Sequence, residues 1–293
     1  MHLNVLRPAL RPHALPFQLG PRARRAALAA TAAAAALGSV GLAAAPANAA
    51  TGPYRVSWSE PGDLRDHTVY RPATPASMKT PVLVWGEGGC IGNGLAYQAF
   101  LTEIASHGIT VVASGAPFGF TTTSVAMMDR SVDWAKARNA KVGDSYYGRL
   151  IADRVTAAGR SCGGLEAYGL AAKRSEVAAV GIMNSGQISR DQNQLNRQKA
   201  PILYVLGGSS DVAFSNGVRD FDLIPQTLPA FLASGNQGHF GTYFNQNGGS
   251  YAQILKDWIL WRINGDTTAA QRFTGPNCGL CVTPGWTVKR RNL

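Results

Sequence analysis

Residues 159–164 read Gly-Arg-Ser-Cys-Gly-Gly and lie between an apolar run and a helical pattern. A serine hydroxyl is a weak nucleophile unless a base and an anion-stabilising pocket lie within reach. A tight turn between a strand and a helix exposes such a serine, and flanking glycines leave room for the crowded backbone. Ser161 is therefore the candidate nucleophile. Taken alone, the pattern also fits a Gly/Ser turn that only caps a helix.

A candidate acid follows the apolar run 202–206, where Gly-Gly-Ser-Ser precedes Asp211. A buried carboxylate in this place can hold an imidazole in the useful tautomer and stabilise the imidazolium. We expect Asp211 to take that role. Asp220 and Asp222 compete with it, but they come later in the chain, where a solvated loop or helix face is the expected location.

A candidate base follows the next apolar run, 229–233, in the glycine-rich loop that contains His239. Two other histidines lie beyond the first fifty residues. His67 falls within an early strand pattern, and His107 ends a helical pattern, where a cationic side chain is favourable. Only His239 follows a strand in a glycine-flanked loop, so we expect it to be the general base.

Acyl transfer also needs backbone N–H donors aimed at the oxygen of the tetrahedral intermediate. One is expected from Cys162, which follows the nucleophile, and another from the glycine-rich loop after the run 81–85. The side chain of Glu87 should point away from such a pocket; otherwise Gly88 is the better donor. A glycine turn that only connects two elements is the alternative interpretation.

Strand and helix patterns alternate along the chain. Apolar runs typical of strands occupy residues 54–58, 67–70, 81–85, 110–114, 154–158, 177–183, 202–206 and 229–233. Helical patterns occupy residues 94–107, 124–140, 161–173 and 251–263. This alternation predicts an α/β fold with a mostly parallel sheet of about eight strands, helices on both faces and an opening hairpin. In such sheets active sites form beyond the carboxyl ends of the strands.

The four cysteines lie at positions 90, 162, 278 and 281. Cys278 and Cys281 predict a local disulfide or half of a zinc site, and no second pair of ligands completes the zinc site. Cys90 and Cys162 each follow one of two strands that are neighbours in this fold. They predict either a disulfide that ties the oxyanion loop to the nucleophile turn, or two buried thiols that pack together.

The first fifty residues differ from the rest of the chain. A basic, proline-broken start leads into an alanine-rich apolar stretch, which predicts a secretory signal peptide over residues 1–49 with cleavage after Ala49. Arg24 and Arg25 leave the general and twin-arginine export routes open. The stretch is weakly hydrophobic for a permanent membrane anchor. We expect a secreted protein whose residues 50–293 form a single catalytic domain.

The charge argues against a nucleic-acid partner. The formal net charge of +11 includes five arginines of the signal segment, which leaves +6 for the remaining residues. That excess is scattered, and only Lys289, Arg290 and Arg291 form a cluster, which we interpret as a solvated tail. A nucleic-acid surface would show a basic stripe with interleaved aromatic residues.

Several segments together resemble the α/β-hydrolase superfamily: PVLVWGEGGC, FLTEIASHG, GRSCGGLEAY, LGGSSDVAFSNG and GHFGTYFNQNGG. They are most similar to secreted bacterial and fungal members distantly related to dienelactone-hydrolase-like, chlorophyllase and polyester-hydrolase sequences. The resemblance implies the α/β-hydrolase fold, the triad Ser161, Asp211 and His239, and no metal or organic cofactor. Where many relatives have histidine before the oxyanion glycine this chain has Trp85, which we expect near the acyl site as a substrate-binding aromatic.

The connection 186–200, after the strand that follows the nucleophile turn, is too short for a large lid. An open cleft suits a bulky or polymeric ester, so we expect a monomeric serine hydrolase acting on carboxylic esters, including polyester-like or cutin-like ones. A serine peptidase or amidase on the same fold is one alternative, because fold alone does not decide function. A non-catalytic cell-wall binding protein is another.

Overall fold

A computed structural model describes residues 50–293, and these residues build a nine-stranded sheet. The strands are β1 Val56–Ser59, β2 His67–Pro72, β3 Thr80–Gly86, β4 Thr110–Ser114, β5 Leu150–Arg160, β6 Val177–Met183, β7 Ile202–Leu206, β8 Ala230–Ser234 and β9 Thr287–Arg291. Two further strands of two residues each, Ile91–Gly92 and Thr121–Thr122, pair separately.

The spatial order of the sheet is β1-β2-β4-β3-β5-β6-β7-β8-β9. Neighbouring strands from β4 to β8 in this order are parallel, whereas β1 with β2, β2 with β4, and β8 with β9 are antiparallel. The predicted fold class is confirmed: a mostly parallel α/β sheet in an α/β-hydrolase-like order that opens with a hairpin. Strands β3 and β5 are adjacent, as expected.

Helices cover both faces of this sheet. They are α1 Gln98–Ser106, α2 Val125–Ala140, α3 Cys162–Ala171, α4 Gln192–Asn196, α5 Phe214–Leu223, α6 Gly249–Ile259, α7 Thr267–Ala270 and α8 Gly279–Val282. Helix α6 continues as a π-helical turn, Leu260–Asn264, and ends at Gly265, whose φ of 72° a glycine adopts without strain. The predicted helix 251–263 therefore changes its winding before it ends.

Alternate residues of each central strand pack into two separate apolar layers, one on each face of the sheet. In β3, Val82 and Val84 pack with residues of α2 and α3 in one cluster, while Leu83 and Trp85 pack with residues of α1 and α6 in the other. All four side chains are fully buried. This two-sided burial explains why the strands appear in the sequence as continuous apolar runs.

The prediction that Trp85 binds substrate is wrong. Its side chain has no exposed surface and lies against Tyr97, Phe100 and Tyr243, with ring centroids 6.1, 5.1 and 6.4 Å away. The side chains of a strand alternate between the faces of the sheet, and this alternation directs Trp85 into the layer beneath α1. It is therefore a core residue.

Lys289 and Arg290 are exposed, as expected of a solvated segment, but the interpretation of residues 289–291 as a tail is wrong. They belong to β9, which pairs with β8 and places Lys289 opposite Leu232. Lys289 forms an ion pair with Asp222, and Arg291 donates to the carbonyl of Phe221 at 2.8 Å. Basic side chains on an outer strand discourage pairing with another chain, so this charge cluster suits a sheet edge.

The connection between β6 and β7 contains only α4, a helix of five residues, so no large lid is inserted there. Within residues 50–293, no helix has both the length and the apolarity needed to cross a membrane. The predicted signal peptide lies outside the described residues. The division of the chain into a signal peptide and one catalytic domain stays a prediction.

The core location of Trp85 predicts a large loss of stability when its side chain is truncated. Trp85→Ala should lower the free energy of unfolding by about 3–5 kcal/mol, because it leaves a cavity among aromatic rings. Trp58→Ala is the matched control, since Trp58 is 40% exposed and should lose about 0.5 kcal/mol or less. Urea denaturation measures both, and equal losses would contradict the core assignment.

Candidate active site

Ser161 lies between the end of β5 and the start of α3, with φ 52° and ψ −114°. A positive φ in a residue with a side chain costs about 1–3 kcal/mol and persists only when the surrounding structure enforces it. Here Ser161 donates its N–H to the carbonyl of Met183 at 2.9 Å, and its own carbonyl accepts from the hydroxyl of Ser185 at 2.6 Å. These two bonds to the end of β6 hold the strained turn.

His239 joins the other two predicted residues. Its Nε2 lies 3.2 Å from Oγ of Ser161, and its Nδ1 lies 2.6 Å from Oδ1 of Asp211. An ionised carboxylate can only accept hydrogen bonds, so Nδ1 carries the proton and Nε2 is free to accept one from the serine hydroxyl. The structure thus brings Ser161, His239 and Asp211 into one line of hydrogen bonds. The His239 side chain is 21% exposed, whereas that of Asp211 is fully buried.

The carboxylate of Asp211 is held by three further donors. The N–H groups of Gly207 and Ala213 donate to it, each at 3.0 Å, and the side-chain amide of Asn184 donates at 2.8 Å. Burial alone would raise the pKa of Asp211, but these bonds and the one from His239 outweigh it and bring the pKa below its ordinary value. Asp211 is therefore ionised at neutral pH.

Asn184 is a site residue that sequence reasoning missed. It directly follows β6 and is fully buried, with φ 43°. Besides Asp211, its amide donates to the carbonyl of Gly238 at 3.0 Å, and its carbonyl oxygen accepts from the hydroxyl of Tyr243 at 2.8 Å. Asn184 thereby connects the acid to the loop that contains His239. The only sequence signal was its place immediately after a strand at the same sheet edge.

The competing acids and histidines lie elsewhere. Asp220 and Asp222 belong to α5, and Asp222 is exposed as expected. Asp220 is not: it is fully buried and accepts from the N–H of Gln187 at 2.6 Å, so a solvated location was the wrong prediction for it. His67 is buried beside Asp66, and His107 ends α1 with Nε2 3.0 Å from Glu103.

The predicted oxyanion donors lie at the start of α3 and after β3. Within residues 50–293, the backbone N–H groups of Glu87, Gly88 and Cys162 have no backbone acceptor. The first N–H groups of a helix lack intrahelical partners, which explains the free donor at Cys162. The N–H of Gly88 faces the hydroxyl of Tyr97. The N–H groups of Glu87 and Cys162 are thus the better candidates, and the donor role of all three stays a prediction.

The side chain of Glu87 does not line the cleft and is directed into the protein interior, as expected. Its carboxyl is fully buried and neither oxygen has a hydrogen-bond partner among the described residues. Burial raises the pKa of Glu87 well above its ordinary value; the adjacent Glu166 adds to the rise, while the indole of Trp85 and the charge of Arg160 oppose it. A neutral Glu87 carboxyl adds no negative charge beside the predicted oxyanion donors.

A disulfide joins Cys90 to Cys162, and a second joins Cys278 to Cys281, so both predicted bonds are confirmed. The first bond covalently connects the loop after β3 to the first residue of α3, with 5.3 Å between the Cα atoms. The sulfurs of Cys90 and Cys162 lie near the carboxyl of Glu166. Because both sulfurs are consumed by the disulfide, this cluster offers no thiolate to a metal ion.

A cleft of about 270 Å³ opens above Ser161. Its walls include Leu165, Ile188 and Val212, and both Cys162 and His239 reach it. Mostly apolar walls around a few convergent polar groups are typical of a small-molecule site. The cleft can therefore receive an apolar group whose carbonyl lies beside the serine hydroxyl.

No protein-family model matches the chain, and no curated protein matches it. The functional argument consequently depends on the geometry of the site. What the geometry supplies is a hydroxyl, an imidazole and an ionised carboxylate in hydrogen-bond contact, two free N–H groups nearby and an apolar cleft. That set can perform nucleophilic acyl transfer.

The buried carboxyl of Glu87 predicts a pH-dependent effect on stability. Because its pKa is raised in the folded chain, the folded state keeps a proton that the unfolded state releases above about pH 4.3. Stability therefore falls as pH rises through that window. Glu87→Gln should remove this loss, so its melting temperature relative to that of the unsubstituted protein should increase from pH 5 to pH 8. Calorimetry that resolves about one degree measures this difference, since 1 kcal/mol corresponds to about 2–4 °C for a domain of this size.

Glu103→Gln is the control, because its effect on stability should change with pH in the opposite direction. Glu103 is buried too, but hydrogen bonds from Thr51, His107 and Gln253 outweigh burial and lower its pKa. Its ionised form stabilises the fold above the ordinary pKa, so this substitution should destabilise the protein at neutral pH, and the deficit should shrink as pH falls. The same pH trend in both variants would contradict the assignment for Glu87.

Proposed function

We propose that the chain is a serine hydrolase of the α/β-hydrolase superfamily that cleaves carboxylic ester bonds. The observation that carries the proposal is the line of hydrogen bonds from Ser161 through His239 to Asp211. Its members follow β5, β7 and β8, whose carboxyl ends lie at one edge of the sheet. The chain order serine, acid, histidine is the one used by α/β-hydrolases.

The reaction proceeds in two halves. Oγ of Ser161 attacks the ester carbonyl carbon while its proton passes to Nε2 of His239, and the carbonyl oxygen becomes an oxyanion within reach of free N–H groups. Collapse breaks the bond to the alcohol oxygen, which leaves with the proton from His239. Water then attacks the acyl-enzyme, gives a proton to His239, and releases the carboxylic acid and Ser161. Asp211 stays ionised and stabilises the imidazolium.

The loops around the cleft support an apolar substrate that approaches from solvent. We define as the rim the large apolar side chains, each at least half exposed, of the cleft and of the loops next to its residues. Ile188 and Val212 line the cleft, Ile91 and Phe240 directly follow Cys90 and His239, and the segment of Ile91 pairs with Thr121–Thr122 beside Phe120. The remaining members are Phe118 and Phe244. Exposed apolar residues gathered in one region indicate a binding surface rather than chance. The loops 115–124 and 235–248, which carry the four phenylalanines of the rim, contain no Asp, Glu, Lys or Arg.

An uncharged apolar rim beside an unlidded cleft favours a bulky or polymeric ester over a small charged metabolite. It equally disfavours a nucleic acid, which needs cationic side chains at its contact surface. The two disulfides support a protein that works in an oxidising compartment. Together with the predicted signal peptide, they support secretion and action on esters outside the cell.

Ser161→Ala tests the nucleophile. The variant should fold normally and lose the hydrolysis of a short p-nitrophenyl ester by about 10³-fold or more, because within residues 50–293 no other hydroxyl lies in hydrogen-bond contact with the His239 ring. Absorbance assays with purified protein measure the rate, and Ser59→Ala, at an exposed serine of β1, controls for the loss of a hydroxyl away from the site. Turnover of the ester by Ser161→Ala at the original rate would overturn the proposed function.

The rim predicts a difference between soluble and insoluble esters. Because full burial of a phenylalanine side chain is worth about 1.5–3 kcal/mol, replacing Phe118 and Phe120 by serine should weaken adsorption to a polyester film at least about tenfold. Hydrolysis of a soluble short ester should change little. Release of acid from the film and from the soluble ester is measured side by side.

Val142→Ser with Tyr147→Ser is the matched control, because both residues are exposed and precede β5 at the opposite end of the sheet. This pair should leave film hydrolysis unchanged. A film that the unsubstituted protein does not attack, despite rapid cleavage of the soluble ester, would contradict the polymer part of the proposal while leaving the ester hydrolase intact.

A further inference from the structure

Arg160 immediately precedes Ser161 and is the last residue of β5, where it is only 7% exposed. Its two terminal nitrogens reach two different parts of the site. Nη1 donates to the hydroxyl of Tyr97 at 3.0 Å, and Nη2 donates to the backbone carbonyl of His239 at 2.9 Å. One guanidinium therefore contacts both an aromatic residue beside the oxyanion loop and the loop of the candidate base.

The charge of Arg160 is not neutralised by an ion pair. Among the described residues no carboxylate forms a salt bridge with it, and its Nε has no hydrogen-bond partner. Instead, the guanidinium carbon lies 5.8, 5.2 and 5.8 Å from the ring centroids of Tyr97, Phe240 and Tyr243. Aromatic faces attract a desolvated cation, but a buried unpaired charge is still expensive. A side chain present only to fill space would be apolar.

The contact with Tyr97 extends to the oxyanion loop. A Cβ atom placed on Gly88 would lie 2.5 Å from Nη1 of Arg160 and 2.4 Å from the hydroxyl of Tyr97. The backbone of this loop is therefore in direct contact with the pair. The planar fork of arginine can hold two acceptors in fixed directions, which the ammonium of lysine cannot.

We propose that Arg160 is a positioning residue that fixes the His239 loop and the loop after β3 relative to Ser161, so that the base and the oxyanion donors stay aligned. The inference rests on the proposed function. It assigns Arg160 no contact with substrate and no proton transfer. Its effect passes through the carbonyl of His239 on one side and through Tyr97 and Gly88 on the other.

Arg160→Met tests this role, because methionine retains much of the apolar volume and removes both hydrogen bonds. Misplacement of reacting groups by about 1 Å can cost a factor of about 10² in rate. We expect kcat for a soluble p-nitrophenyl ester to fall by about 10–100-fold, with KM changed by less than about threefold. Arg160→Lys keeps the charge but loses the fork, and it should recover little of the rate.

The concentration of active sites is determined by titration to completion with a fluorophosphonate, and kcat is expressed per titrated site. All rates are measured well below the melting temperature, so that partial unfolding does not lower kcat. Arg154→Met is the matched control: Arg154 belongs to the same strand, is exposed, and donates to the carbonyl of Arg262 at 3.0 Å. It should retain the original kcat. Tyr97→Phe, which removes one of the two contacts, should reduce kcat by less than Arg160→Met does.

A purely structural Arg160 would lower the melting temperature of Arg160→Met but leave kcat per titrated site within about twofold, and that result overturns the proposal. Full recovery of kcat in Arg160→Lys overturns it as well, since charge alone would then suffice. If the unsubstituted protein and Ser161→Ala hydrolyse the ester equally slowly, the proposed function fails first. That outcome differs from one in which the protein hydrolyses the ester through Ser161 but Arg160→Met retains the original kcat, which would contradict only the role of Arg160.

Discussion

The site depends on how closely the first turn of α3 approaches the ends of β3 and β5. A Cβ atom on Gly163 would lie 2.0 Å from the carbonyl oxygen of Gly86, and one on Gly159 would lie 2.3 Å from the backbone of Gly163. No side chain fits at these contacts. Between these contacts Ser161 has a positive φ and lines the cleft, and the N–H of Cys162 has no backbone acceptor among the described residues. The disulfide from Cys90 then fixes the adjacent loop to the same turn.

The pKa values of three buried carboxyls, Asp211, Asp220 and Glu87, are shifted in different directions because their surroundings differ. Asp211 accepts two backbone N–H groups, an amide and the imidazole, and its pKa is lowered despite burial. Burial outweighs the hydrogen bonds that Asp220 accepts from Gln187, Arg219 and Tyr168 and raises its pKa, and Glu87, which accepts none from the described residues, has a raised pKa as well. Of these three carboxyls, the one in contact with His239 alone has a lowered pKa, and its ionised form is the one needed to support an imidazolium.

The parts that were predictable from sequence depend on local pattern. The central strands are buried on both faces and therefore appear in the sequence as continuous apolar runs. Glycines indicated the turn at Ser161. The order of the strands predicted that Asp211 and His239 lie at the same edge of the sheet. The missed features depend on tertiary contacts. The side-chain direction of Trp85, the pairing of residues 289–291 with β8, and the burial of Asp220 follow from which elements pack together. Asn184 and Arg160 act through partners more than twenty residues away, which no local spacing reveals.

The central claim is that the hydroxyl of Ser161 is made nucleophilic by His239 and Asp211. Mass spectrometry of peptides after reaction with a fluorophosphonate tests it most directly. The account predicts one adduct, on the peptide that contains Ser161, and strongly slowed adduct formation in His239→Ala although Ser161 is retained. An unlabelled protein, an adduct on a different serine, or labelling of His239→Ala at the original rate would contradict the account.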